Sequence, residues 1–168
     1  MAESPGLVAS DKLLAVTTIS FDIAVLELYL PLTVGAQVVL ASREIATDAV
    51  KLSACLADCG ATVMQATPAT WQMLLAGGWT GRPQLKMLCG GEALPPELAE
   101  QLLSRGQALW NMYGPTEATV WTAACQVLMD PTMAAGQCDR LTIAGPVANT
   151  QLYVLEPTAD TVRPLPIG

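Results

Sequence analysis

The chain contains no histidine among its 168 residues. That absence excludes a Ser-His-Asp or Cys-His nucleophile system and every histidine-bearing metal site. Charge is scarce too: Asp, Glu, Lys and Arg make up 14% of the sequence, against roughly 25% in an ordinary soluble domain. Eight basic residues face fifteen acidic ones, for a net charge of −7. No basic stripe is therefore present to neutralise nucleic-acid phosphates. The five cysteines (Cys55, Cys59, Cys89, Cys125 and Cys138) include no C-x-x-C pair, and their odd number argues against a disulfide framework. They are expected as small buried hydrophobes in a reduced compartment. The N-terminus, MAESPGLVASDK, has neither the basic patch nor the apolar segment of a secretory signal, and a cytoplasmic location is expected.

What is abundant is apolar surface, at 52% of residues. Residues 59 to 81 carry no charge, which is long enough to span a bilayer. Gln65, Pro68, Gln72 and the pair Gly77-Gly78 interrupt that stretch, so it reads as strand, turn and short helix, with no membrane partner. Disorder is excluded by the same hydrophobicity. A chain of this length is one domain's worth and buries about 70% of its unfolded surface.

Strand and helix patterns alternate along the first 130 residues. Leu13 to Thr18 reads as a buried strand, and Asp22 is placed to cap a helix running to about Thr33 and ended by Gly35. Strands follow at Gln37 to Ala41, Ala61 to Ala66, Leu85 to Cys89 and Ala108 to Met112. Between them, helices are expected at Thr47 to Cys59, Pro68 to Leu75 and Pro96 to Arg105. This is an α/β pattern: a doubly wound, largely parallel sheet with helices on both faces. In such sheets ligands bind beyond the carboxyl ends of the strands. Later, Thr119 to Leu128, Leu141 to Ala144 and Thr150 to Leu155 look like strands with no helix between them. Residues 1–130 are thus expected to form the α/β lobe, and residues 131–168 the start of a β-rich, barrel-like subdomain.

The few charges are informative because they are few. Between Lys12 and Arg43 only Asp22 and Glu27 are charged, and between Arg105 and Asp130 only Glu117. Asp22 and Glu117 both follow strands closely. A carboxylate in apolar surroundings needs a cation, a metal or several hydrogen-bond donors; a helix N-cap or first-turn role is the bland alternative. Two glycine-bearing turns add to this. Cys89-Gly90-Gly91-Glu92 follows one strand, and Asn111-Met112-Tyr113-Gly114-Pro115-Thr116-Glu117 another. The glycines let the backbone approach a ligand, and the second turn offers a flat ring, a hydroxyl and a carboxylate within five residues.

The segment NMYGPTE resembles the N-x-Y-G-P-T-E signature of adenylate-forming enzymes, most closely the adenylation (AMP-binding) domains of non-ribosomal peptide synthetases. Thr17 to Leu28 looks like that family's F-D-x-S region, with Ala24 in place of the serine. Cys89 to Leu94 looks like its G-G-E-x-L turn, and Ile143 to Leu155 like its I-G-x-P-I-x-N-T stretch, with Ala144 as a departure. The resemblance implies a flavodoxin-like lobe of an adenylation core and an ATP-dependent ligase. An amino acid and ATP would give aminoacyl-AMP and pyrophosphate, and the acyl group would then pass to the phosphopantetheine thiol of a carrier-protein domain. Tyr113 would stack on adenine, with Gly90, Gly91 and Asn111 completing the base slot. Thr116 would bond the α-phosphate and Glu117 would ligate Mg²⁺, while Asp22 would hold the substrate ammonium group. The amino-acid pocket would be formed by Asp22, Ile23, Leu26, Gln65, Leu88, Gly90, Met112, Val120 and Trp121. Leu26, Gln65, Leu88, Met112 and Trp121 are bulky and are expected to leave room for little side chain, and the pattern is similar to the codes of glycine-activating domains, with alanine next.

The family's Ser/Thr/Gly-rich phosphate loop, its Y-x-T-G-D motif and its C-terminal lobe with a catalytic lysine are not found in these residues. The expectation is therefore an internal piece of an adenylation domain that makes no adenylate alone. Two other readings stand beside it. One is a piece of an acyl-CoA or aryl-acid ligase of the same superfamily, against which Asp22 argues. The other is a non-catalytic nucleotide-binding or interaction domain of flavodoxin-like shape.

Overall fold

The computed structural model describes residues 1–128, 145–157 and 162–165. Five parallel strands form its centre: β1 (Lys12–Ala15), β2 (Gln37–Leu40), β3 (Val63–Ala66), β4 (Lys86–Gly90) and β5 (Ala108–Tyr113). A sixth strand, β6 (Ala123–Val127), pairs antiparallel with β5, and the order across the sheet is β2-β1-β3-β4-β5-β6. The switch in strand order lies between β1 and β3, where a doubly wound sheet opens a crevice at its carboxyl edge. A separate antiparallel pair, β7 (Leu155–Pro157) and β8 (Val162–Pro164), follows.

Alternation along the strands sorts side chains onto two faces. Leu14, Met64, Met87 and Cys89 join one apolar cluster with Leu52, Leu56, Trp71, Leu74, Leu98 and Leu102 from the helices α3 (Ala49–Cys59), α4 (Pro68–Ala76) and α5 (Pro96–Leu103). Leu13, Ala15, Val63 and Leu88 point the other way, into a second cluster with Leu26 of α1 (Ala24–Val34), Met112 and Trp121. Helices therefore cover both faces, as the strand–helix alternation predicts. Local signals set the ends. Gly35 and Gly60 close α1 and α3 in the left-handed conformation, with φ of 76° and 69°. Asp48 caps α3 by accepting from the backbone N–H groups of Val50 and Lys51, and Pro68 occupies the first turn of α4 behind the Thr67 cap.

Several local details differ from the sequence reading. Asp22 does not cap α1: the helix starts one residue later, with Ile23 at the cap position and no side-chain cap bond. The strand expected from Thr119 begins at Ala123, because Thr119 and Val120 take positive φ of 66° and 69° and cannot extend a ladder. Four residues from Arg43 to Ala46 form an unanticipated helix, α2, started by Ser42 accepting from the Ile45 N–H. The region Thr150 to Leu155 is extended only at its end, in β7, and Leu141 to Ala144 lies outside the described residues. Of the four described cysteines, Cys89 alone is fully buried; Cys55, Cys59 and Cys125 are half-buried and all four are free thiols. Among the described residues no helix is long and apolar enough to cross a membrane.

Candidate functional site

Two turns at the carboxyl ends of β4 and β5 enclose a cleft of about 530 Å³. Gly91, Glu92, Ala93 and Leu94 line one side, and Asn111, Met112, Tyr113, Gly114 and Pro115 the other. Gly91 sits at φ +86°, a conformation that side chains rarely adopt. Tyr113 ends β5 with 45% of its surface exposed, so a flat ring stands at the mouth of the cleft. Its carbonyl accepts both the backbone N–H of Thr122 at 2.8 Å and the Thr122 hydroxyl at 3.1 Å. This pins the turn between β5 and β6. Gly114 is required inside it, since a Cβ there would lie 2.2 Å from the Val120 carbonyl oxygen.

Thr116 and Glu117 stand on a short 3-10 turn, Thr116–Ala118, immediately after that cleft, and both are exposed. They do not line the cleft itself. Among the described residues no cluster of three or more Cys, Asp or Glu side chains is arranged to hold a metal ion. One exposed carboxylate fits Mg²⁺, which commonly takes one or two carboxylates and draws its other ligands from phosphate oxygens and water.

The expected pocket residues gather beneath the cleft. Ile23, Leu26, Leu88, Met112 and Trp121 are buried members of the α1-side cluster, and Val120 packs against it. Gly90 lies under Trp121 and Met112: a Cβ on Gly90 would fall 2.5 Å from Trp121 Cη2 and 2.6 Å from the Met112 carbonyl oxygen. It therefore serves close packing below the cleft and does not line it. Gln65 is fully buried on β3 and accepts from Trp121 Nε1 at 2.8 Å. Asp22 precedes this group on the bend before α1, and its Oδ2 is buried without a hydrogen-bond partner. An unpaired buried carboxylate oxygen is costly, so a cation or donor supplied from elsewhere is needed to satisfy it.

Glu27 is the residue that sequence reasoning missed. It is fully buried in α1, and its carboxylate accepts four hydrogen bonds. Oε2 takes the backbone N–H groups of Val16 and Thr17 at 2.9 and 3.0 Å. Oε1 takes the Thr17 hydroxyl at 2.6 Å and Gln65 Nε2 at 3.1 Å. Burial pushes the carboxyl above its ordinary range, opposed by the bonds from Thr17, Gln65 and Val16. The one available signal was its rarity, as one of two charges between Lys12 and Arg43. A second cleft of about 510 Å³ adjoins Val16 and Thr17 at the ends of β1 and β3, bordered by Phe21, Arg43, Thr67 and Thr70.

The family model of the AMP-binding enzymes matches residues 1–168. The chain belongs to the AMP-binding enzyme family. Within it, the chain is 45% identical over 165 residues to a PKS-NRPS hybrid synthetase of Aspergillus candidus, covering 98% of this chain and 6% of that protein. It is 39% identical over 168 residues to a dimodular nonribosomal peptide synthase of Bacillus subtilis, covering all of this chain and 7% of the relative. The chain thus spans a small part of the length of the curated relatives it matches. Among solved structures, it resembles a four-domain nonribosomal peptide synthetase bound to AMP and glycine, with a TM-score of 0.74 at 46% identity over 76% of this chain and 10% of that one. The Vibrio cholerae adenylation domain AlmE shares the fold, with a TM-score of 0.70 at 24% identity over 79% of this chain and 26% of its own. The six-stranded sheet with helices on both faces is the arrangement of an adenylation core.

Proposed function

We propose that the chain carries the nucleotide and amino-acid sites of an adenylation domain that activates a small amino acid, glycine first and alanine next. The observation that carries this reading is the buried, unpartnered Oδ2 of Asp22, next in sequence to Ile23 of the cluster that holds Trp121. An α-ammonium group supplies the cation that this oxygen lacks, and a substrate without an amine leaves it unpaired. Trp121 and Met112 close on Gly90, and Leu88 and Leu26 belong to the same cluster, which leaves room for little side chain. The relative solved with AMP and glycine, at 46% identity, supports the same reading.

In this reading the adenine of ATP lies in the β4–β5 cleft against Tyr113, with Gly91 and Asn111 along its edges and Gly90 beneath. Thr116 donates to an α-phosphate oxygen, and Glu117 holds Mg²⁺, which supplies neutralisation of phosphate charge when bound. The amino-acid carboxylate attacks the α-phosphorus, the bond to the bridging oxygen breaks, and pyrophosphate leaves. The thiol of a carrier domain's phosphopantetheine then attacks the acyl carbon and AMP leaves. Both steps depend on positioning and charge stabilisation more than on a protein base, consistent with a chain that has no histidine.

The test is amino-acid-dependent ATP–pyrophosphate exchange by the adenylation domain that carries this sequence, with Asp22→Asn as the variant. Loss of glycine-dependent exchange by about a hundredfold, from an unpaired buried ammonium, supports the reading. Unchanged exchange in the variant contradicts it. Activation of an aryl or fatty acid by the parent would favour the acyl-CoA or aryl-acid ligase alternative instead.

A further inference from the structure

Trp121 closes on Gly90, and something must hold that indole in place. Its N–H is buried and has one acceptor, Gln65 Oε1 at 2.8 Å. A glutamine amide can be turned either way, and only one orientation offers Trp121 an oxygen. The other end of the amide shows what selects it. Gln65 Nε2 donates to Glu27 Oε1 at 3.1 Å and to the Ile23 carbonyl at 2.8 Å. Both are acceptors, and Glu27 is held as one by the Val16 and Thr17 N–H groups, which cannot rotate. The direction of every hydrogen bond from β1 to Trp121 is thereby fixed.

We infer that Glu27 is a positioning residue for substrate size: through the Gln65 amide it holds Trp121 over Gly90, and so sets the discrimination against amino acids larger than the preferred one. The inference rests on the proposed amino-acid pocket. It adds a residue on the far side of that pocket, since Glu27 acts only through Gln65.

Reversing the polarity tests this. In Glu27→Gln the new carbonyl must face the rigid N–H groups of Val16 and Thr17, so its amide faces Gln65. Gln65 then cannot satisfy all its neighbours: kept on the Ile23 carbonyl it meets a second donor at residue 27, and turned it sets its oxygen against that carbonyl and its amide against the Trp121 N–H, so in both cases its hold on Trp121 weakens. In the adenylation domain that carries this sequence, the kcat/KM ratio for glycine over alanine falls by about tenfold, within the range one methylene commands in an apolar pocket. Partial unfolding lowers both rates equally and leaves the ratio unmoved. Hydrogen exchange at the Trp121 indole N–H, followed by NMR, quickens in the same variant.

Gln65→Leu removes the amide, gives the same loss of ratio, and makes Glu27→Gln silent when the two are combined. An unchanged ratio and unchanged indole exchange in Glu27→Gln overturn the inference, as do independent, additive effects of the two substitutions. If Glu27→Gln does not fold, an unchanged ratio in Gln65→Leu overturns it. If the unsubstituted domain prefers another amino acid, the glycine reading fails separately. The ratio is then taken between that substrate and its next larger homologue, and the indole exchange decides as before.

Discussion

A Cβ added to Gly90 would stand 2.5 Å from Cη2 of Trp121. The glycine at the end of β4 and the indole before β6 therefore occupy one packed layer beneath the β4–β5 cleft. The same Cβ would lie 2.6 Å from the Met112 carbonyl oxygen, which is held in the sheet by the β4–β5 and β5–β6 pairings. Overpacking at such a site costs about 1–3 kcal/mol. Gly90→Ala is expected to lower the thermal midpoint by several degrees and to abolish glycine activation, measured by thermal denaturation and pyrophosphate exchange.

Gly114 meets backbone on its far side. Its Cβ would lie 2.2 Å from the Val120 oxygen and 2.6 Å from the Trp121 Cα, and neither can be relieved by turning a side chain. Gly114→Ala is expected to shift the Tyr113–Trp121 turn and to weaken AMP binding at least tenfold, as read by calorimetric titration.

Tyr113 separates stacking from hydrogen bonding. Its carbonyl, which organises the turn through Thr122, is independent of the side chain. Tyr113→Phe keeps a ring and should leave the KM for ATP within about twofold. Tyr113→Ala removes it and should raise KM about tenfold, since stacking on a base is worth about 1–3 kcal/mol. Steady-state exchange kinetics against ATP concentration checks both.

Cys89 is buried in β4, and burial, aided by the charge of Glu92, pushes its thiol from 9.0 up to about 12. Thiolate, not thiol, reacts with alkylating reagents. At pH 8 Cys89 should resist iodoacetamide until the protein unfolds, as peptide mass mapping will show. Because the folded pKa is the higher one, the neutral thiol is favoured in the folded state. The contribution of Cys89 to stability is full below pH 9 and is lost as pH rises toward 12, so denaturant midpoints should fall across that window and fall less in Cys89→Ala.

The parts of this fold that could be read in advance are those with a repeating or local cause. Five apolar strands, Gly35 and Gly60 at helix ends and Pro68 behind Thr67 all carry their signal within a few residues. The Asn111–Glu117 turn is legible as a motif, and Asn111 to Pro115 border one cleft, while Thr116 and Glu117 stand just beyond it. Asp22 stands out in the sequence for its isolation, but its carboxylate caps nothing, because the chain makes a bend and starts α1 at Ala24. The left-handed Thr119 and Val120 had no Gly or Asn to announce them; tertiary packing of Trp121 over Gly90 accompanies them. Glu27 was hardest. Nothing local says that an acid in an apolar helix will meet four donors, because two of those residues lie on the β1 end and one on β3.

The central claim is that this pocket takes an amino acid with almost no side chain. The most direct measurement is ATP–pyrophosphate exchange by the adenylation domain carrying this sequence, run over a panel of amino acids and matched acids lacking the amine. The account predicts highest kcat/KM for glycine, a lower value for alanine, and background rates for valine, phenylalanine and acetate. A preference for a bulky amino acid, or activation of acids without an amine, would contradict it.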